Sequence, residues 1–132
     1  MKGLDTNVLV RFLVRDDEIQ AEIVYQRFKQ AELNGEELFI SVPVVLETIW
    51  VLESVYKVER AHLLDSIEAL MQMPILKFEA QPAVHSMVTS ARQSNTDLSD
   101  LLIGQSAKYA GCDAVLTFDQ RAAVLDLFKL LQ

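Results

Sequence analysis

Five carboxylates in this chain could do chemistry together: Asp5, Glu47, Asp97, Asp100 and Asp119. Asp5 closes an apolar opening of residues 1 to 4, and Asp119 follows the run Ala114-Val115-Leu116-Thr117-Phe118. Glu47 comes one turn into a helical pattern after Leu38-Phe39-Ile40-Ser41-Val42, while Asp97 and Asp100, at i and i+3, share one helix face. Their separations along the chain are large, so only the fold can bring them to one rim. Four or five carboxylates with no His or Cys among them select a hard cation with oxygen ligands, Mg²⁺ or Mn²⁺ before Zn²⁺. Such ions serve phosphoryl chemistry by activating water, stabilising a leaving oxygen and screening phosphate charge. Thr6 and Thr117 flank the acids, where a hydroxyl either orients a metal ligand or bonds to local backbone.

Each acid also has a plainer explanation. Asp is a preferred N-cap and acids favour the first helical turn, which would account for Asp5, Asp97 and Asp119 taken singly. Glu47 differs, because residues 42 to 52 around it are apolar apart from Pro43 and Thr48. A carboxylate there is expected to be partly desolvated, and to need a cation or an Arg or Lys partner. Asp16, Asp17, Glu36, Glu37, Glu53 and Asp65 fall in polar turns or on solvated faces and are assigned no chemistry. His62 and His85 stand on helices without partner acids at catalytic spacing, so each reads as a surface or core imidazole. Trp50, Met71 and Met73 read as core or dimer surface, and Cys112 as a buried small hydrophobe.

The elements that must position these acids alternate along the chain. A short strand precedes a helix through Val8, Leu9, Phe12 and Leu13. Asp16-Asp17 starts a second helix carrying Ile19, Ile23, Phe28 and Leu33, which stops at Asn34-Gly35. Strand two at 38 to 42 leads through Pro43 into a helix with Val44, Val45, Leu46, Ile49, Trp50, Leu52 and Val55. A helix over about 60 to 73, strand three at 75 to 78, and helices over 80 to 92 and from Asp97 to Gly111 follow. Strand four at 114 to 118, a short helix from 119 or 120, and a fifth strand at 127 to 131 complete the order. Short, fully apolar strands alternating with helices predict an α/β fold, a mostly parallel central sheet of four to five strands with helices on both faces. In such sheets sites lie beyond the carboxyl ends of the strands.

Composition supports one packed unit over residues 1–132. Hydrophobic residues make up 51%, against 4 Gly and 3 Pro, which excludes a disordered or collagen-like chain. The formal net charge of −7 argues against non-specific nucleic-acid binding through a basic surface, but a carboxylate metal site makes a chain acidic by itself. A single cysteine allows no internal disulfide and, with no signal peptide visible, points to the cytoplasm. No apolar run approaches about 18 residues, so no membrane span is expected.

The chain resembles the PIN-domain nucleases, in particular the VapC-type ribonuclease toxins of prokaryotic toxin–antitoxin pairs, over nearly its whole length. Leu4-Asp5-Thr6-Asn7-Val8-Leu9 is similar to the family's first motif and Val44-Val45-Leu46-Glu47 to its second. Thr96-Asp97-Leu98-Ser99-Asp100-Leu101-Leu102-Ile103 is similar to the third, with Asp100 on the main acid and Asp97 on an additional one; Leu116-Thr117-Phe118-Asp119 is similar to the fourth. Each motif alone is weak, whereas four in order at the right spacing are specific. The resemblance implies a single three-layer PIN domain and Mg²⁺- or Mn²⁺-dependent endonucleolytic cleavage of RNA. It implies Asp5, Glu47, Asp100 and Asp119 as catalytic residues, and Asp5, Asp97, Asp100 and Asp119 at the metal. A homodimer and a small antitoxin protein follow as partners, with the apolar density of residues 42 to 55 as a second motive for the dimer. Arg11, Arg15 and Arg121 follow the motif segments and read as solvated surface, with RNA phosphate as the alternative.

Other readings fit less well. A haloacid-dehalogenase-type phosphatase needs a second Asp two positions after the first, where this chain has Asn7. A two-component receiver domain needs an acid pair near strand one and a phosphoacceptor Asp ending strand three, which here ends at Phe78-Glu79. A catalytically silent PIN-type binding or scaffold protein, and a non-toxin PIN nuclease of RNA processing, are the alternatives within the family. No acid is missing, which counts against the silent form.

Overall fold

A computed structural model describes residues 1–132, which divide into two compact units, Met1–Gln81 and Pro82–Gln132. Helices alternate with short strands, and every strand pair is parallel, so the chain is an α/β protein.

The first unit begins with β1 (Lys2–Gly3) and then runs through α1 (Thr6–Val14), α2 (Glu18–Asn34), β2 (Leu38–Ile40), α3 (Val42–Ser54), α4 (Arg60–Met71) and β3 (Leu76–Phe78). Its three strands lie in the order β1-β2-β3, with Gly3 opposite Phe39 and Ile40 opposite Phe78. Local chemistry sets the helix ends. Asp17 caps α2 by accepting from the Gln20 N–H at 3.0 Å, and Gly35 ends it in the left-handed conformation at φ 63°, with the Glu36 N–H returning to the Ala31 carbonyl at 2.9 Å. Ser41 caps α3 and Pro43 occupies its first turn, where a missing N–H costs nothing.

The interior face of α2 differs from the one its large residues suggest. Ala21, Val24, Phe28 and Ala31 are buried, and Phe28 packs on Phe12 with ring centroids 4.9 Å apart, whereas Ile19, Ile23 and Leu33 are exposed. Small alanines let the helix approach its neighbours, and the isoleucines are left on the far side. Tyr56 beyond α3 donates to Asp16 Oδ2 at 2.6 Å, and Arg11 pairs with Asp16 at 3.3 Å, which ties the α1–α2 turn to the end of α3. The tyrosine hydrogen bond, followed by the Arg11 charge, holds the Asp16 carboxyl below its ordinary range despite opposing desolvation.

The second unit holds most of α5 (Gln81–Arg92), then α6 (Leu98–Tyr109), β4 (Val115–Thr117), a 3₁₀ turn at Ala122–Val124 and β5 (Phe128–Leu130). Strands β4 and β5 pair with each other, with Leu116 opposite Lys129. The five expected strands are therefore all present, but their hydrogen bonds fall into a set of three and a set of two. With two or three residues each, the strands carry too few ladder bonds to show a continuous five-stranded sheet. β4 is also less covered than a fully apolar strand suggests, with Leu116 66% exposed. Cys112 lies exposed in the turn after α6, contrary to the expectation of a buried thiol; Gly111 at φ 98° carries the chain away from the helix there.

Gly104 on α6 is buried against β5: a Cβ there would lie 2.9 Å from Phe128 Cε1 and 3.2 Å from Leu127 Cδ2. Gly104→Ala gains up to about 1 kcal/mol of helix propensity but overpacks a buried ring, which costs about 1–3 kcal/mol. The clash is expected to win, and chemical denaturation should show the variant less stable by about 1 kcal/mol.

Candidate active site

In the first unit the parallel register puts Asp5 and the start of α3 at the same sheet edge. The Leu4 N–H donates to the Phe39 carbonyl at 2.8 Å, continuing the ladder to the residue before Asp5. Asp5 then caps α1, with Oδ1 accepting from the Thr6 N–H at 2.8 Å. A cap uses one carboxylate oxygen and leaves lone pairs on the other, so capping and metal binding are compatible. Thr6 is 3% exposed and its Oγ1 has no hydrogen-bond partner. Thr117, by contrast, is engaged locally: its Oγ1 accepts from the Asp119 N–H at 2.9 Å.

Glu47 is exposed, which overturns the expectation of a desolvated carboxylate. Helix α3 buries Val45, Thr48, Ile49 and Leu52, and turns Pro43, Glu47, Trp50 and Ser54 outward at i, i+4, i+7 and i+11. Val45, Ile49 and Leu52 thus turn away from Glu47, while Trp50 shares its outward face. A further acid at this edge, Glu79, had no signal in the sequence beyond ending strand three. Its N–H donates to the Ile40 carbonyl at 2.8 Å, and its Oε1 accepts from the Val42 N–H at 2.7 Å. It therefore satisfies one of the orphan donors that begin α3, the helix bearing Glu47.

In the second unit Asp97 caps α6, its Oδ1 accepting from the Asp100 N–H at 3.0 Å. Asp119 accepts from the Arg121 N–H at 2.8 Å through Oδ1. Burial, followed by the charges of Asp97 and Asp119, raises the Asp100 carboxyl above its ordinary 3.8. The two neighbours are thus close enough to oppose its ionisation. This is an electrostatic environment that a bound cation would reverse.

No three of the His, Cys, Asp and Glu side chains gather closely enough to hold an ion as they stand. The donor chemistry nevertheless fits a hard cation, since carboxylate oxygens and hydroxyls are its preferred ligands. The orphaned Thr6 hydroxyl beside Asp5 fits a further oxygen partner there. His62 and His85 are exposed on α4 and α5, as expected of imidazoles without a catalytic partner. Arg11 pairs with Asp16 at 3.3 Å and Arg15 with Glu18 at 3.7 Å, surface ion pairs of small energy.

Residues 3–127 match the model of the PIN domain. The chain belongs to the PIN-domain family. The PIN match runs through both compact units and contains Asp5, Glu47, Asp97, Asp100 and Asp119. The chain is also similar to the VapC ribonuclease of Aquifex aeolicus (strain VF5), at 30% identity over 121 residues, which are 92% of this chain and 89% of that protein. No solved structure matches it. No helix of this PIN protein is long and apolar enough to cross a membrane.

Proposed function

We propose that this PIN protein is a metal-dependent endoribonuclease, the toxin of a toxin–antitoxin pair, and that its two compact units act as one catalytic domain. The observation that carries the reading is the surroundings of Asp100, where burial first and then the charges of Asp97 and Asp119 oppose its ionisation, a penalty that a bound cation would offset. The VapC ribonuclease similarity supports RNA as the substrate, and the continuity of the PIN match across both units supports the single domain.

Asp5, Asp97, Asp100 and Asp119 would hold Mg²⁺ or Mn²⁺. Such an ion supplies water activation and charge screening at a phosphodiester. The residues of the chain do the rest. Asp5 and Asp97 are fixed by their own caps, so their second oxygens present a set orientation. Asp119 is fixed by the turn through Thr117 and Arg121. Glu47, exposed on α3, acts with Asp5, Asp100 and Asp119 as a catalytic carboxylate; its solvent access suits it to taking a proton from the attacking water. Purified protein should cleave single-stranded RNA with Mg²⁺ or Mn²⁺. Failure to cleave any RNA would leave the silent binding form in its place.

The same reading places the protein in the cytoplasm as a homodimer bound by a small antitoxin. The apolar stretch of residues 42 to 55 is divided, with Val45, Ile49 and Leu52 in the core and Trp50 and Val55 exposed. Exposed Ile19, Ile23 and Leu33 along α2 supply further apolar surface for a partner. Light scattering is expected to give twice the 14.9 kDa chain mass; 14.9 kDa across micromolar concentrations would reject the dimer.

A further inference from the structure

Trp50 is the chain's single tryptophan and is 58% exposed. Helix α3 does not need it for the core, which takes Val45, Ile49 and Leu52 from the other face. Trp50 follows Glu47 by three residues on the same outward stripe, which puts their Cβ atoms about 5–6 Å apart. A large indole left in water beside an acid is best covered by a flat apolar ligand face. The chain's charge points the same way. With 19 acids against 12 bases the surface as a whole does not favour the phosphates of a substrate strand, so uncharged contacts gain weight in its affinity. Base faces are the uncharged part of an RNA strand, and aromatic side chains bind them irrespective of sequence.

We propose that Trp50 is a substrate-binding residue that stacks on an unpaired base of the RNA strand lying across Glu47. The proposal rests on the ribonuclease reading and gives that site its preference for unpaired RNA, because a duplex covers both faces of its bases. A second copy of this chain is the competing occupant of the same surface.

The single tryptophan makes the test direct. A short oligoadenylate mixed with the Mg²⁺-loaded protein by stopped flow, before turnover, should quench the fluorescence, and the same strand paired into a duplex should not. In steady-state cleavage Trp50→Ala should raise KM by about tenfold or more with kcat within about threefold, and Trp50→Phe should recover most of the loss. Light scattering should show the same mass for wild type and Trp50→Ala. Unchanged fluorescence, a Trp50→Ala KM within about twofold of wild type, or a Trp50→Ala protein that falls to the monomer mass would each overturn the proposal. The last result would assign Trp50 to a protein interface. A wild type that cleaves no RNA with metal present is a separate result, which overturns the ribonuclease reading and the stacking with it.

Discussion

Asp100→Asn should lose RNA cleavage by about a hundredfold or more while its metal-free fold is as stable as wild type or more so. The activity figure follows from rank: groups that merely orient a metal ligand cost about 10–100-fold when removed, so a ligand should cost at least the upper end of that. The stability expectation follows from charge. Burial and the charges of Asp97 and Asp119 raise the Asp100 carboxyl in the folded protein, so the folded state binds more protons than the unfolded one. Stability from this group is therefore lost as pH rises above its ordinary 3.8 and is penalised at neutral pH. The amide keeps the shape and removes the penalty. Melting temperatures of the two metal-free proteins should differ at pH 7 in favour of Asp100→Asn or not at all, and converge as pH falls toward 3.8. Asp5→Asn should likewise lose cleavage with its fold intact, since Asn also caps a helix. Asp97→Ala is the contrast, because it removes the acceptor for the Asp100 N–H and should cost about 0.5–2 kcal/mol.

Removing the metal should be as severe as removing a ligand. With a chelator in excess, cleavage is expected to fall to background, and to return with added Mg²⁺ or Mn²⁺. The folded protein should also register the ion, since a ligand that binds only the native state stabilises it by mass action. At a hundredfold excess over its Kd this amounts to about 2.7 kcal/mol, which raises the melting temperature by roughly 10 °C for a chain of this length. Equal cleavage with and without chelator would remove the cation from the mechanism.

The parts of the fold visible in the sequence are those decided by local chemistry. Asp17 and Gly35 bound α2 where their types indicate, and Pro43 falls in the first turn of α3, whereas Ser41 and Val42, expected to end strand two, instead cap and open that helix. Orientation around a helix is not set by residue type alone. On α2 the bulky Ile19, Ile23 and Leu33 suggested the buried face, yet Ala21 and Ala31 turn inward because close approach favours small side chains. On α3 the apolar sequence around Glu47 suggested desolvation, but a step of one residue turns the side chain by about 100° and returns it to solvent. Glu79 and the division of the strands into two sets depend on register between segments far apart in the chain, which no local pattern encodes. Among the acids, types and spacing are visible in the sequence, whereas the influence of Asp97 and Asp119 on Asp100 requires the turn after β4 to come back beside the first turn of α6.

The most direct test is the melting temperature of wild type and Asp100→Asn across a Mg²⁺ titration, with single-stranded RNA cleavage followed in the same samples. The carboxylate metal site predicts a wild type that cleaves and melts progressively higher as Mg²⁺ rises, and an Asp100→Asn protein that starts as stable, responds less and does not cleave. The same Mg²⁺ response and the same cleavage rate in both proteins would contradict it, and would leave these acids as helix caps and surface charge.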